Sequence, residues 1–491
     1  MSKFTEGLKN ESAWTKTENG LDALSTTFSA LLDMYGNLLS YRYKDFNQTT
    51  QAFNKAWAED PLLAMKLAFY ARNIRGLGQG ERRMFRDIVK YTAREHTEAM
   101  RKNFKLIPEF GRWDDLYSLV DTPLEEEMFA FLLEAFNEDL NANKEKKTEF
   151  NFVAKWLKSV RTHKKNNYLG KLTAKKFGMT EKEYRKKLAE LRTAYNVVEK
   201  NLTAKSYDKI NYEAVPSKAM KIYREVFSNN DTDRFCKYVE DLKSGKAKVN
   251  AGAIYPYEIM EKLVHCGWSS IEMKKDDVLE AQWKALPNYV EEPSDTLVVV
   301  DTSGSMSGRP LAIALSLGVY LAERNKGDWH NKMVTFSRNA KYIELKGETL
   351  YQKLNGIPSI CENTNIESVF DLILNTAVNN NLKPEEMVKR VIIVSDMQFD
   401  SGARVSNRDT FTETMRKKFA DKGYDLPALV YWNAGQTYEN TFHSQKDVPG
   451  VALVSGASPS LFMEVLKDEV KTPLEIMLDT LSNPIFDKIT V

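Results

Sequence analysis

The 491-residue chain is expected to be multidomain, with an all-α region of stacked helix pairs followed by an α/β domain built on a doubly wound parallel sheet. Three observations lead there. The length exceeds what one hydrophobic core ordinarily organises. Up to about Trp283 apolar residues recur at three- and four-residue steps, the helical period. From about Pro287 onward, short unbroken apolar runs alternate with helical patterns, as strands buried on both faces of a parallel sheet do.

In the first region KAWAEDPLLAMKLAFYARN, RRMFRDIVKYTAREH, EEEMFAFLLEAFNEDLNAN, EKEYRKKLAELRTAYNVVEKNL, SKAMKIYREVFS and DTDRFCKYVEDLKSG read as successive helices. Pro123 stands near the start of the third, and Thr180 is placed to cap the fourth. RGLGQGE, PEFGRW and the basic stretch THKKNNYLGKLTAKKFG read as breaks. Many helices with short connections suggest an α-solenoid, HEAT-like in architecture, with no strict repeat period. NYVEEPSD is a turn-rich linker. Beyond it TLVVV (296–300), KMVTFS, KYIEL, RVIIVS (390–395), PALVYW (427–432) and VALVSG (451–456) read as strands, KYIEL at an edge. RPLAIALSLGVYLAERN, TNIESVFDLILNTAVNNN, SLFMEVLKDEV and TPLEIMLDTLS are the intervening and closing helices. The resulting boundaries are a flexible N-terminus over 1–20, a helical region over 21–286 and the α/β domain over 287–491.

The composition narrows the function classes. No stretch approaches the ~20 consecutive apolar residues needed to cross a bilayer, so no membrane partner is expected. The polar start MSKFTEGLKNESAWTKTENG lacks the apolar core of a signal peptide, and a cytoplasmic location is expected. Cys236, Cys266 and Cys361 are scattered and form no CxxC pair, which points to reduced, mostly buried thiols. Net charge is +2, but residues 151–250 carry about 24 Lys and Arg against about 11 Asp and Glu. Such a basic segment on a near-neutral protein suits a polyanion, or forms an ordinary solvated helical face. His96, His163, His265, His330 and His443 are isolated in sequence, and neither G-x-S-x-G nor H-E-x-x-H occurs. GLGQG lacks the Lys-Ser/Thr of a phosphate-binding loop and follows no strand. No catalytic activity is expected.

Three pieces converge at predicted strand ends. Asp301-Thr302-Ser303-Gly304-Ser305 follows TLVVV, Thr364 stands at the mouth of a helix, and Asp396 follows RVIIVS. Two carboxylates and three hydroxyls form an oxygen-only set that suits a hard ion, Mg2+ or Mn2+, and suits Zn2+ poorly. In open α/β sheets ligands bind at the carboxyl ends of the strands, where the strand order reverses.

DTSGSM before an amphipathic helix, with a later Thr and an Asp closing a later strand, resembles the metal-ion-dependent adhesion site (MIDAS) of von Willebrand factor A (VWA) domains. That resemblance implies direct coordination by Ser303 and Ser305. It also implies direct or water-mediated coordination by Asp301 and Asp396, a state-dependent part for Thr364, and one open position for a partner's carboxylate or phosphate. LAFYARNIRGLGQGERRMFRDIV, IPEFGRWDDLYSLV, FVAKWLKSV, KKFGMTEKEYRKKLAELR, VPSKAMKIYR and SGKAKVNAGAIYPYEI, followed by IESVFDLIL, VSDMQFD and GVALVSG, resemble an uncharacterised Ro-like family. Its members fuse a TROVE-like helical-repeat region to a VWA domain and are similar, more distantly, to the Ro RNA-binding autoantigen.

By that resemblance the chain is expected to bind structured or misfolded RNA, including RNA with a single-stranded end, on a basic helical surface. Arg72, Arg75, Arg82, Arg83, Arg86, Lys155, Lys158, Arg161, Lys164 and Lys165 are the candidate phosphate contacts. Trp113, Trp156 and Tyr168 are candidate stacking platforms, the tryptophans being equally readable as core. The arginines of GERRMFR are also placed to pair with Asp114 and Asp115. Two other readings remain open: a scaffold whose metal ion captures an acidic residue of a protein partner, and a structural component of a larger assembly.

Overall fold

The structure, a computed structural model, describes residues 8, 11–161, 164–266, 271–357, 363–400, 409–435, 441–467 and 471–491. The chain divides into two compact units that are not its sequential halves. A helical unit holds Phe46–Thr50, Met65–Asn250 and Ile485–Val491; the other holds the chain up to Asp45, Gln51–Ala64 and Ala251–Pro484. The sequence-based boundaries at 20/21 and 286/287 therefore do not separate the units, and each unit recruits chain from a distant stretch. Among the described residues no helix is long and apolar enough to cross a membrane.

The helical unit contains, among others, α1 (Pro61–Arg72), α2 (Arg83–Glu95), α3 (Glu125–Lys144), α4 (Lys164–Lys176), α5 (Glu181–Ala194), α6 (Ser217–Asn230) and α7 (Thr232–Lys243), α1 entering it from Met65 onward. Thr180 caps α5 as expected: its hydroxyl accepts from the Glu183 backbone N–H at 3.2 Å, while the Glu183 carboxylate accepts from the Thr180 N–H at 2.9 Å. The stretch read as a basic break is α4. Its inward face is small and polar, with Gly170, Thr173 and Ala174 buried ahead of Phe177, so no large-apolar period signals it. A Cβ on Gly170 would stand 2.5 Å from the Ser159 carbonyl oxygen, a separation only glycine permits. Phe69, Phe85 and Phe110 pack edge to face at 5.2–5.3 Å between centroids. The C-terminal Phe486 stacks on Phe110 at 5.8 Å, which is why the last residues belong to this unit. Cys236 on α7 is exposed, against the expectation of a buried thiol; Cys361 and the Cys266 side chain lie outside the described residues.

In the second unit β1 (Trp14–Lys16) and β2 (Asp22–Leu24) form an antiparallel pair, as do β3 (Val264–Cys266) and β4 (Ile271–Met273). The main sheet comprises β5 (Thr296–Asp301), β6 (Lys332–Phe336), β7 (Ala340–Glu344), β8 (Arg390–Ser395), β9 (Ala428–Asn433) and β10 (Val451–Ser455) in the order β10-β9-β8-β5-β6-β7. All neighbours are parallel except β6 and β7. The sheet is thus mixed rather than wholly parallel, because residues 337–339 are too few for a crossover and can only close a hairpin. After β5 the chain steps to β6 on one side and later returns to place β8 on the other, so the order reverses between β5 and β8.

Helix α9 (Arg309–Arg324) is buried on every side from Pro310 to Ala322, as a helix covered by both sheet and further helices must be. A Cβ on Gly318 would lie 2.3 Å from Val300 Cγ2, so glycine sets the close approach of α9 to β5. Helix α8 (Pro256–Leu263), assigned from sequence to the helical region, belongs here: Arg309 on α9 pairs with Glu261 at 2.6 Å. Trp283 likewise donates to Glu323 at 2.8 Å.

Residues 11–20, expected to be flexible, are also built into this unit. Leu24 and Phe442 exchange backbone hydrogen bonds of 2.9 and 2.8 Å, and Leu39 donates to Ser455 Oγ at 3.1 Å. The buried face of the intervening helix Ala30–Gly36 supplies the apolar contact. Seen alone this segment is short and polar, and nothing in its own pattern marks the sheet it joins.

Phe486 is 1% exposed in a ring cluster that closes the helical core. Phe486→Ala is expected to lower the stability of that unit by about 3–5 kcal/mol, measured by urea denaturation. A change within the error of the measurement would refute the role given to the tail.

Candidate functional site

The four elements β5, β8, the loop after β5 and the loop after β8 bring Asp301, Ser303, Ser305 and Asp396 to the point where the strand order reverses. Asp301 is the last residue of β5 and fully buried; Asp396 follows β8 and is 4% exposed. Asp301 Oδ1 accepts from the Ser303 backbone N–H at 2.9 Å, and Oδ2 accepts from Ser395 Oγ at 2.5 Å. Ser303 Oγ and Ser305 Oγ are 3.2 Å apart. Ser305 also hydrogen-bonds the Asp396 carboxylate, and Asp396 Oδ1 accepts from the Gln398 N–H at 3.2 Å. Ser303 is buried, whereas Gly304 and Ser305 are exposed, so the cluster opens to solvent on their side. Thr364 is buried ahead of α10 (Glu367–Asn379), and its carbonyl accepts from the Asp400 N–H at 2.9 Å.

Burial raises the Asp301 carboxyl well above the ordinary aspartate range, and the neighbouring Asp396 charge adds to the rise. Burial raises Asp396 as well, against hydrogen bonds from Gln398 and Ser305 that lower it. Two carboxylates short of positive charge, flanked by hydroxyls, are what a hard divalent ion relieves. Among the described residues no group of three or more His, Cys, Asp or Glu side chains is placed to hold a metal; the donors here are two carboxylates and hydroxyls. A cleft of about 1010 Å³ lies at the opposite, amino ends of the strands, lined by Asp295, Lys332, Arg390 and Ala428.

Several participants escape a sequence reading. Ser395 Oγ donates to Asp301 while accepting from the Met397 N–H at 3.0 Å. Met397 takes the left-handed φ of 67°, unusual for a side chain of its size, and its carbonyl accepts from His443 Nε2 at 3.1 Å. Gln398, 1% exposed, joins three stretches through its backbone and both ends of its amide. VSDMQFD contained Ser395 and Gln398, but only the packed loop shows what they bond.

The candidate RNA contacts divide. Arg72 is buried against Asp115 at 2.8 Å and cannot reach a phosphate, a correction to the expectation. Arg86 bonds Asp115 at 2.7 Å and Asp114 at 3.1 Å. Lys158 pairs with Asp114 at 2.9 Å, and Arg82 pairs with it too. Burial would raise the Asp114 carboxyl, but Arg86, Lys158 and Arg82 together bring it below its usual range. Four cations thus share two carboxylates. Arg82, Arg83, Arg86, Lys90 and Lys158 line one cleft of about 590 Å³, together with the exposed Tyr168. Arg75 is exposed and donates to the Glu109 carbonyl at 3.2 Å. Lys155 and Arg161 are exposed; the Lys164 and Lys165 side chains lie outside the described residues. Trp113 packs on Phe131 and donates to the Asn151 carbonyl at 2.8 Å. Arg112 covers the Trp156 ring at 4.5 Å. Both tryptophans are therefore engaged within the fold.

His443 is fully buried between Phe399 and Tyr431. Burial lowers its pKa to about 4. Donation to Met397 assigns the proton to Nε2, and the ring is neutral at pH 7. The unfolded chain takes up a proton near pH 6.5 that the folded one refuses until about pH 4. Stability is therefore full above the upper value and falls with pH through that window. At pH 5 this group is expected to have removed ~2 kcal/mol relative to pH 7. Urea denaturation at the two pH values should show a smaller loss for His443→Gln than for the natural chain; equal losses would rule the assignment out.

Residues 17–177 and 150–295 match a family described as a domain of unknown function, DUF2828. Residues 295–480 match a second such domain, DUF7788. The chain is 30% identical over 515 residues to the uncharacterised protein L728 of Acanthamoeba polyphaga mimivirus, an alignment covering 96% of this chain and 88% of the relative. The two family matches meet at residue 295, one residue before the strand that ends in Asp301. Over more than half its length, the chain belongs to the DUF2828 family.

Proposed function

We propose that the α/β unit is a VWA domain that binds Mg2+ or Mn2+ and uses it to capture an acidic group. The observation that carries this reading is the convergence of Asp301, Ser303, Ser305 and Asp396 at the reversal of strand order, buried on the strand side and open at Ser305. Two aspartates balance the ion's charge, the serine hydroxyls add neutral oxygens, and water or a partner's carboxylate completes an octahedron. Thr364, held beside Asp400, is the remaining hydroxyl of the set. The role is binding, with the ion as bridge to a protein partner.

Mg2+ or Mn2+ at a hundredfold excess over Kd is expected to stabilise the metal-free protein by about 2.7 kcal/mol, read as a rise in melting temperature. Asp301→Ala should abolish the rise. Its persistence in that variant, or its absence in the natural protein, would defeat the metal reading.

A second activity, RNA binding by the helical unit as in Ro-like proteins, is favoured by the cleft that gathers Arg82, Arg83, Arg86, Lys90 and Lys158. Four of its cations are held by Asp114, Asp115 or Asp87, so the expected affinity comes from the excess of positive charge and depends on salt. Lys90→Glu with Lys155→Glu leaves the ion pairs of Arg82, Arg83, Arg86 and Lys158 intact. That variant should bind a structured RNA with a single-stranded 3′ tail more weakly, with the salt slope reduced by about 1 per lost phosphate contact. Unchanged affinity and slope would count against the cleft as an RNA site.

A further inference from the structure

The segment that joins β1 to β2 lies on the same loop that carries Asp396. Thr17 Oγ1 donates to the Phe399 carbonyl, the Glu18 N–H to Gln398 Oε1, and Asn19 Nδ2 to the Gln398 carbonyl, each at 2.6 Å. Gly20 and Asp400 form an antiparallel bridge. Four consecutive residues are thus fastened to residues 398–400, and Gln398 itself donates from its backbone to Asp396. Thr17 is buried and takes the inward role, whereas Glu18 is exposed, on a strap beside a cluster that is itself open at Ser305. The Glu18 carboxylate lies close enough to Asp396 for the two charges to interact.

We propose that Glu18 is an internal ligand of the metal site: the strap brings its carboxylate to the ion's open position, which an acidic partner must take from it. The inference rests on the metal reading given above. The chemistry fits. Asp301 and Asp396 neutralise a divalent ion, so a third carboxylate adds a net negative charge, which an exposed ligand tolerates and a buried one would not. A carboxylate tethered through the backbone of its own residue also acts at a high effective concentration. An external carboxylate therefore binds only when it outcompetes the strap or when the strap lifts. The strap is held by side-chain and loop hydrogen bonds of residues 17–20, so displacing the Glu18 carboxylate need not unfold the β1–β2 pair.

The test uses the full chain stripped of metal, titrated with Mn2+ and followed by the electron paramagnetic resonance signal of the free ion, with and without acetate. The natural chain, Glu18→Ala, Glu18→Gln and Asp301→Ala are compared, and thermal melts of the metal-free proteins establish that each is folded. Glu18→Gln keeps the backbone donor to Gln398 and most of the side-chain volume. Glu18→Ala is expected to weaken Mn2+ binding by about tenfold or more, the scale at which even outer-sphere partners act. Acetate should restore affinity to Glu18→Ala and leave the natural chain unchanged, whose open position is already filled. Mn2+ binding that is lost in Asp301→Ala but equal in Glu18→Ala and the natural chain would overturn the inference and leave the metal site standing. No Mn2+ binding by the natural chain would remove both.

Discussion

Asp301 and Asp396 stand at the ends of neighbouring parallel strands, buried and close enough for each to feel the other's charge. Burying two like charges is among the costliest things a fold can do. The loops around them are arranged to reduce that cost with hydrogen bonds from Ser303, Ser305, Ser395 and Gln398. Strand order, the tight loop after β5 and the left-handed turn at Met397 all serve to place those donors. Hydrogen bonds alone leave the pair short of positive charge, and the site is defined by that shortfall.

The helical unit handles buried carboxylates in the opposite way. Asp114 and Asp115 are also buried, but Arg72, Arg82, Arg86 and Lys158 converge on them from α1, from α2 and the residue before it, and from the segment ahead of α4. The charge is more than matched within the chain, and the Asp114 carboxyl is held below its ordinary range rather than above it. One acidic pair therefore ties helices together, while the other stays short of positive charge. The sign of the shift, set by which charges the fold brings near, separates the two cases where residue type cannot.

Both units are completed by remote chain. The last residues add Phe486 to the aromatic cluster of the helical unit, and the first described ones add two strands, a helix and the strap to the sheet unit. The match to DUF2828 begins at residue 17 and so includes the strap. A sequence divided at its change of hydrophobic period would cut both connections, because a boundary between patterns need not be a boundary between cores.

The main strands were legible from the sequence because a strand buried on both faces must be apolar along its whole length. The helices were legible where one face is large and apolar. DxSxS after such a strand, with Thr364 and Asp396 to follow, could be placed at strand ends for the same reason. Helix α4 was hidden because its inward face is Gly, Thr and Ala, which carry no apolar period. The antiparallel β7 followed only from the short connection before it. Only the tertiary structure decided that Arg72 is spent on Asp115, that Ser395 and Gln398 orient the aspartates, and that Glu18 lies beside residues nearly four hundred positions away. Local periodicity reports which face of an element is buried. It carries no information about which distant groups meet there, and the chemistry of a site is made of those meetings.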